Sequence, residues 1–169
     1  MFFKLVLLVT FLILQVHFST TFSDRVPRVP YDGYVDINGD QYYIKTDDYA
    51  LRDNASATCK ALKMQLITFE TLEKWDIIQN WASSNGFFYD WFWIGAERVN
   101  STDWRWEGSG HKITEHRWAL NQPNLEWTAF PSICLDFTPV DGGWSDDYCG
   151  NYYGGIFCEP KNAVEINLP

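Results

Sequence analysis

Apolar and polar residues follow three different rhythms along this chain, and each rhythm predicts a different element. Leu5 to Val16 is a nearly unbroken run of Leu, Val, Ile and Phe, interrupted by Thr10 and Gln15. Further on, Val35 and Ile37 alternate with polar neighbours, and Tyr42 and Ile44 resume the alternation after Asn38-Gly39. Period two around Asn-Gly predicts a hairpin over Tyr34–Ile44, because that dipeptide tolerates the positive φ of a two-residue turn. Then the period changes. Leu51, Ala55, Thr58, Cys59 and Leu62 fall on one helical face. Asp47 or Asp48 is placed to cap that helix by accepting from its free amides. Leu72, Trp75, Ile78 and Ala82 form a second helical stripe, with Thr68 as its expected cap. Glu70 and Glu73 suit the positive end of that helix, and Gly86 suits its stop.

From Phe87 onward no helical period continues. Phe92-Trp93-Ile94, Trp104–Trp106, Ile133–Phe137 and Gly155–Cys158 are short apolar runs separated by Gly, Pro, Asn and Asp. Neither repeats nor low-complexity segments occur. The pattern predicts an α+β domain: two helices, small antiparallel sheets and a long irregular loop region.

The N-terminal run is read apart from the fold. Lys4 precedes it, and the small residues Thr21 and Ser23 follow it. That is the layout of a signal peptide over residues 1–23. At about a dozen residues it falls short of the about 20 that a membrane span needs. The expectation is a secreted product with no membrane span. Residues 24–33, with Pro27 and Pro30, read as a leader, 34–160 as the domain and 161–169 as a tail.

Composition narrows the partners. The chain carries 9 Trp, 9 Tyr and 12 Phe, which supply large buried areas and good contact surfaces. A net charge of -9 opposes binding to nucleic acid or to an anionic membrane. Four cysteines, Cys59, Cys134, Cys149 and Cys158, imply two disulfides in a secreted chain, and spacing alone leaves all three pairings open. A zinc site is disfavoured, since no Cys-x-x-Cys occurs and His111 and His116 sit beside no cysteine. Those two histidines flank Glu115 and read as a surface loop pair. Gly-x-Ser-x-Gly, His-Glu-x-x-His and a cysteine left over as nucleophile are all missing, so an enzyme is not expected. Asn54-Ala-Ser56 and Asn100-Ser-Thr102 are glycosylation sequons.

Five short motifs in order resemble the C-type lectin family. Cys59-Lys-Ala-Leu-Lys-Met-Gln-Leu66 resembles its first-helix cysteine and the strand after it. Trp93-Ile-Gly-Ala96 is similar to its Trp-Ile-Gly-Leu core motif. Gln122-Pro-Asn124 resembles its sugar-site tripeptide, Trp144-Ser-Asp-Asp-Tyr-Cys149 its Trp-Asn-Asp-x-x-Cys, and Phe157-Cys-Glu159 its closing strand. The resemblance implies the short form of that fold, with Cys59 bonded to Cys158 and Cys134 to Cys149. It also implies a cis bond before Pro123. Trp93, Trp104, Trp106, Trp118 and Trp144 are expected in the core, as large aromatic residues usually are.

It further implies a sugar site centred on calcium, but only in part. Gln122, Asn124 and Asp146 fill ligand positions of the family, whereas Ser132 and Ser145 stand where it has Glu and Asn. Calcium affinity rises with anionic ligand count, and one certain carboxylate should hold the ion weakly or not at all. Glu126 is a substitute ligand in the same loop, and Asp136, Asp141 and Asp147 are near in sequence. Gln122 and Asn124 are both amides, so with their carbonyls on an ion only donors are left to face a sugar hydroxyl. Trp127 is the candidate ring for stacking on a sugar, although it stands one residue later than in the family's pattern; the alternative is a rim tryptophan that packs on the domain. The implied function is a secreted carbohydrate-binding lectin with an eroded calcium site; the alternative is a calcium-independent domain for an extracellular protein ligand. Coiled-coil and collagen-like stalks are absent, so a homodimer would form through the domain itself.

Overall fold

The computed structural model describes residues 30–88, 90–100, 102–124, 132–150 and 152–161. The expected signal peptide, most of the leader, nearly all of the tail, Glu126 and Trp127 lie outside those residues. Strand β1 (Asp32–Ile37) and strand β2 (Asp40–Ala50) form the hairpin, which starts two residues before the expected Tyr34. Asn38 and Gly39 both have positive φ, at 55° and 91°, and the Gly39 amide donates to Asp36 Oδ1. This is the turn that the Asn-Gly pair predicted.

Helix α1 (Arg52–Ala61) follows β2 without a side-chain cap. Asp47 and Asp48 do not cap it, because both lie within β2, which stays extended to pair Ala50 with Gly154. Strand β3 (Met64–Leu66) leads to helix α2 (Leu72–Ser84). Its cap is Thr71, whose hydroxyl accepts from the Lys74 amide. Thr68 is not the cap: it is buried and its hydroxyl donates to Glu159. At the other end Gly86 has φ 92°, and the Phe87 amide reaches back to the Ala82 carbonyl at 3.0 Å. That closure needs the left-handed conformation glycine supplies. Trp75, Ile78 and Ala82 are buried, as the stripe predicted.

The remaining strands are β4 (Phe92–Trp93), β5 (Ala96–Arg98), β6 (Trp104–Trp106), β7 (Ile133–Thr138), β8 (Gly143–Tyr148) and β9 (Gly154–Pro160). They join one larger sheet in the order β1-β2-β9-β4-β7-β8, with β3 also pairing β9, while β5 and β6 form a two-stranded sheet. All pairings are antiparallel except β4 with β9.

The sheet is buried on both sides at β7. Ile133, Leu135 and Phe137 of β7 enter one core with Trp75, Trp106 and Trp144; Cys134 enters the other with Trp93, Met64 and Cys158. Strands with two covered faces read as continuous apolar runs, as Ile133–Phe137 does apart from Asp136. Four of the five expected core tryptophans are at most 4% exposed; Trp118 is half-buried against the core. Disulfides join Cys59 to Cys158 and Cys134 to Cys149, with sequence separations of 99 and 15. In the chain-entropy account, closures of those lengths contribute at most about 4.7 and 3 kcal/mol.

Candidate functional site

Strand β8 ends the path of the sheet, and a loop segment covers its free edge. The Trp144 amide donates to the Arg117 carbonyl at 2.5 Å, and the Ala119 amide donates to the Trp144 carbonyl at 2.9 Å. The approach is close because residue 143 is glycine: a Cβ there would sit 2.4 Å from the Ala119 nitrogen. A turn follows, with Asn121 at φ 64° and the Gln122 amide bonded to the Ala119 carbonyl. The chain is thereby delivered alongside Asp146.

At that point Gln122, Asn124 and Asp146 come together. The bond between Gln122 and Pro123 is cis. Asp146 is 2% exposed, and its Oδ1 accepts from the Asn124 amide at 2.7 Å. In return, Gln122 Oε1 accepts from the Asp146 amide at 3.4 Å. Gln122 is half-buried, while Pro123 and Asn124 are exposed. Loop and strand are thus clasped by two reciprocal bonds, each from a backbone amide to a side-chain oxygen.

Among the described residues, the other expected positions do not complete a cation cage. Ser132 is exposed, and its carbonyl accepts from the Cys149 amide. Ser145 sits opposite Asp136 in the β7–β8 ladder, on the alternate face of β8 from Asp146. Asp141 is exposed on a 3-10 turn (Pro139–Asp141). Asp136 and Asp147 pair with each other. Burial, then the charge of Asp147 and its hydrogen bond, push the Asp136 carboxyl well above the usual range.

A calcium ion needs several oxygens and more than one negative charge. Here Gln122 Oε1 and Asp146 Oδ1 each accept from a backbone amide. Among the described residues, no group of three or more His, Cys, Asp or Glu is arranged to hold a metal. The donor set among the described residues does not fit a tightly bound calcium.

His111 and His116 are exposed, and His116 stacks on Trp118 at 5.6 Å. Asn54 and Asn100 are both exposed. Sequence reasoning placed Glu159 in the closing-strand motif but did not find its network: it is 2% exposed and accepts from Gln65, the Thr68 amide and hydroxyl, and Lys74. Its partners lie more than 80 residues away in sequence, so no local pattern marks them.

The family model of the lectin C-type domain matches residues 51–159. The chain belongs to the C-type lectin family. It is 27% identical over 145 residues to "C-type lectin 37Da" of Drosophila melanogaster, covering 80% of this chain and 75% of that protein. It is 26% identical over 118 residues to human "Lymphocyte antigen 75", covering 69% of this chain but only 7% of that protein's length. A solved structure titled "Ca2+-independent C-type lectin SPL-2 from Saxidomus purpuratus" superposes with a TM-score of 0.59. It is 25% identical and covers 78% of this chain and 93% of that one. The C-type lectin fold, its two helices and both disulfides of the resemblance are therefore in place. Among the described residues, no helix is long and apolar enough to cross a membrane.

Proposed function

We propose that this C-type lectin is a secreted glycan-binding protein whose sugar site, at Gln122, Asn124 and Asp146, works without a tightly held calcium ion. One observation carries the reading: the Asp146 carboxylate accepts from the Asn124 amide, so a protein hydrogen bond holds the loop where an ion would otherwise be needed. The solved relative titled as calcium-independent supports the same direction. Asp146 keeps a carboxylate at the site, and a carboxylate is the acceptor that a sugar hydroxyl seeks. Ser132 and Ser145 add no charge there. Glu126 and Trp127, which follow the tripeptide, are proposed to reach the bound sugar from the same loop. The N-terminal apolar run and the two disulfides support secretion, and Asn54 and Asn100 are proposed as glycan carriers on exposed surface. N-terminal sequencing of the secreted product should begin near residue 24.

A glycan array read in calcium and again in chelator tests the main claim. Signal that survives the chelator is expected. Signal that vanishes with it would show that the ion is needed after all. A second reading, a protein ligand, is favoured by one feature. Phe88 and Val140 are 38% and 40% exposed and adjacent, with the Val140 amide bonded to the Phe88 carbonyl. Alanine at both positions should leave glycan binding intact if that pair serves a protein partner.

A further inference from the structure

Strand alternation extends the site beyond the tripeptide. Asp146 and Tyr148 are two residues apart on β8, so both side chains leave the same face of the sheet, about 7 Å apart along the strand. Tyr148 is half-buried and its ring stacks on Tyr152, with centroids 6.4 Å apart and planes at 22°. Tyr152 in turn meets the edge of Trp91 at 6.4 Å. Tyr152 and its neighbour Tyr153 are 45% and 57% exposed. Burial, then nearby Tyr152, Asp147 and Asp146, push the Tyr148 hydroxyl above its usual range.

Resting on the sugar reading above, we infer that Tyr148 and Tyr152 form a second subsite continuous with Asp146, and that the ligand is a neutral oligosaccharide. The chemistry of the two parts is complementary. Asp146 accepts from hydroxyls, while a tyrosine face packs on the apolar C–H face of a pyranose and its hydroxyl stays wet. A β1,4-linked sugar with equatorial substituents offers flat apolar faces in succession, so one residue can sit at Asp146 and the next on the rings. Charge selects against acidic chains. Asp146 and Asp147 are the acids near the Tyr148 ring, and the protein as a whole carries -9, so sulfated or uronic sugars are repelled. Stacking also gives the site binding energy that no ion supplies.

Calorimetry on the full secreted chain in chelator, with N-acetylglucosamine and its β1,4-linked trimer, tests this. The trimer should bind about tenfold more tightly than the single sugar, the size expected of one added aromatic contact. Tyr152→Ala should erase that gain and leave the single-sugar affinity unchanged; Tyr152→Trp should keep it. Tyr152 is exposed, so both variants should fold, which circular dichroism checks. Equal affinity for one residue and three, or a trimer gain that survives Tyr152→Ala, overturns the second subsite alone. Binding of neither sugar, with no neutral glycan bound on the array, removes the sugar reading itself and leaves the rings as anchors for a protein.

Discussion

Glu159 on β9 and Asp136 on β7 are carboxylates buried in one sheet, 2% and 3% exposed, and they are housed in opposite ways. Glu159 is surrounded by donors. Gln65, the Thr68 amide and hydroxyl and Lys74 share its two oxygens, and they tie β3, the following loop and α2 to the last strand. Asp136 meets other acids. Asp147 hydrogen-bonds it, Asp146 and Asp141 add their charge, and its Oδ2 is buried with no partner among the described residues. A buried charge is tolerated when donors compensate it and is expelled as a proton-bearing acid when they do not. The first carboxylate holds the scaffold; the second lies among the acids near Asp146.

Removing Glu159 should therefore do the most damage. Glu159→Ala leaves Thr68 and Gln65 without their acceptor inside the fold and should cost about 3 kcal/mol, measured by denaturant unfolding. The double variant Glu159→Leu with Lys74→Met, which removes both charges, should recover much of that loss. If the single and double variants lose equally, the network is not what the burial of Glu159 rests on.

Next in size is the clasp at Asp146. Asp146→Ala removes the acceptor of the Asn124 amide and should destabilise the fold by about 1–2 kcal/mol and abolish glycan binding. Asp146→Asn keeps an oxygen there, so stability should change by under about 0.5 kcal/mol while sugar affinity falls. Unfolding curves and calorimetry on the same samples separate the two roles. Loss of stability in the Asn variant equal to that in the Ala variant would mean that charge, and not the hydrogen bond, holds the loop.

Local pattern made much of this fold legible. The Asn38-Gly39 turn, both helical stripes and the apolar run of β7 follow from period and turn chemistry that span a few residues each. The helix caps were misread where tertiary pairing decides. Asp47 and Asp48 look like caps, but β2 is drawn out to Ala50 by its partner Gly154, over 100 residues away. Thr68 looks like a cap, but the buried Glu159 claims it and leaves Thr71 to start the helix. The site was half legible. Gln122-Pro-Asn124 is contiguous, and Asp146 lies in a recognisable motif. That Gln122 and Asp146 satisfy each other's segment could not be read across 24 residues. Tyr148 was within reach, since simple alternation from Asp146 along β8 points to it.

The smallest effect concerns Asp136 and is a matter of pH. Burial and the neighbouring acids raise the folded carboxyl of Asp136 well above 3.8, its ordinary value, and Asp147 is raised too, chiefly by burial. Between the ordinary value and the folded one, the native chain holds a proton that the unfolded chain has released. Stability therefore falls as pH rises through that window and levels off above it. Asp136→Asn cannot ionise, yet its amide can still donate to Asp147. The variant should be more stable than the parent at pH 7 by about 1 kcal/mol, the low end of what an uncompensated buried polar atom costs. It should match the parent near pH 3, where the aspartate is neutral in both states. Urea unfolding at several pH values reads both ends of that curve. A parent whose stability climbs from pH 4 to 7, with the variant running parallel to it, would mean that Asp136 has found a donor after all. The contrast with Glu159 would then vanish.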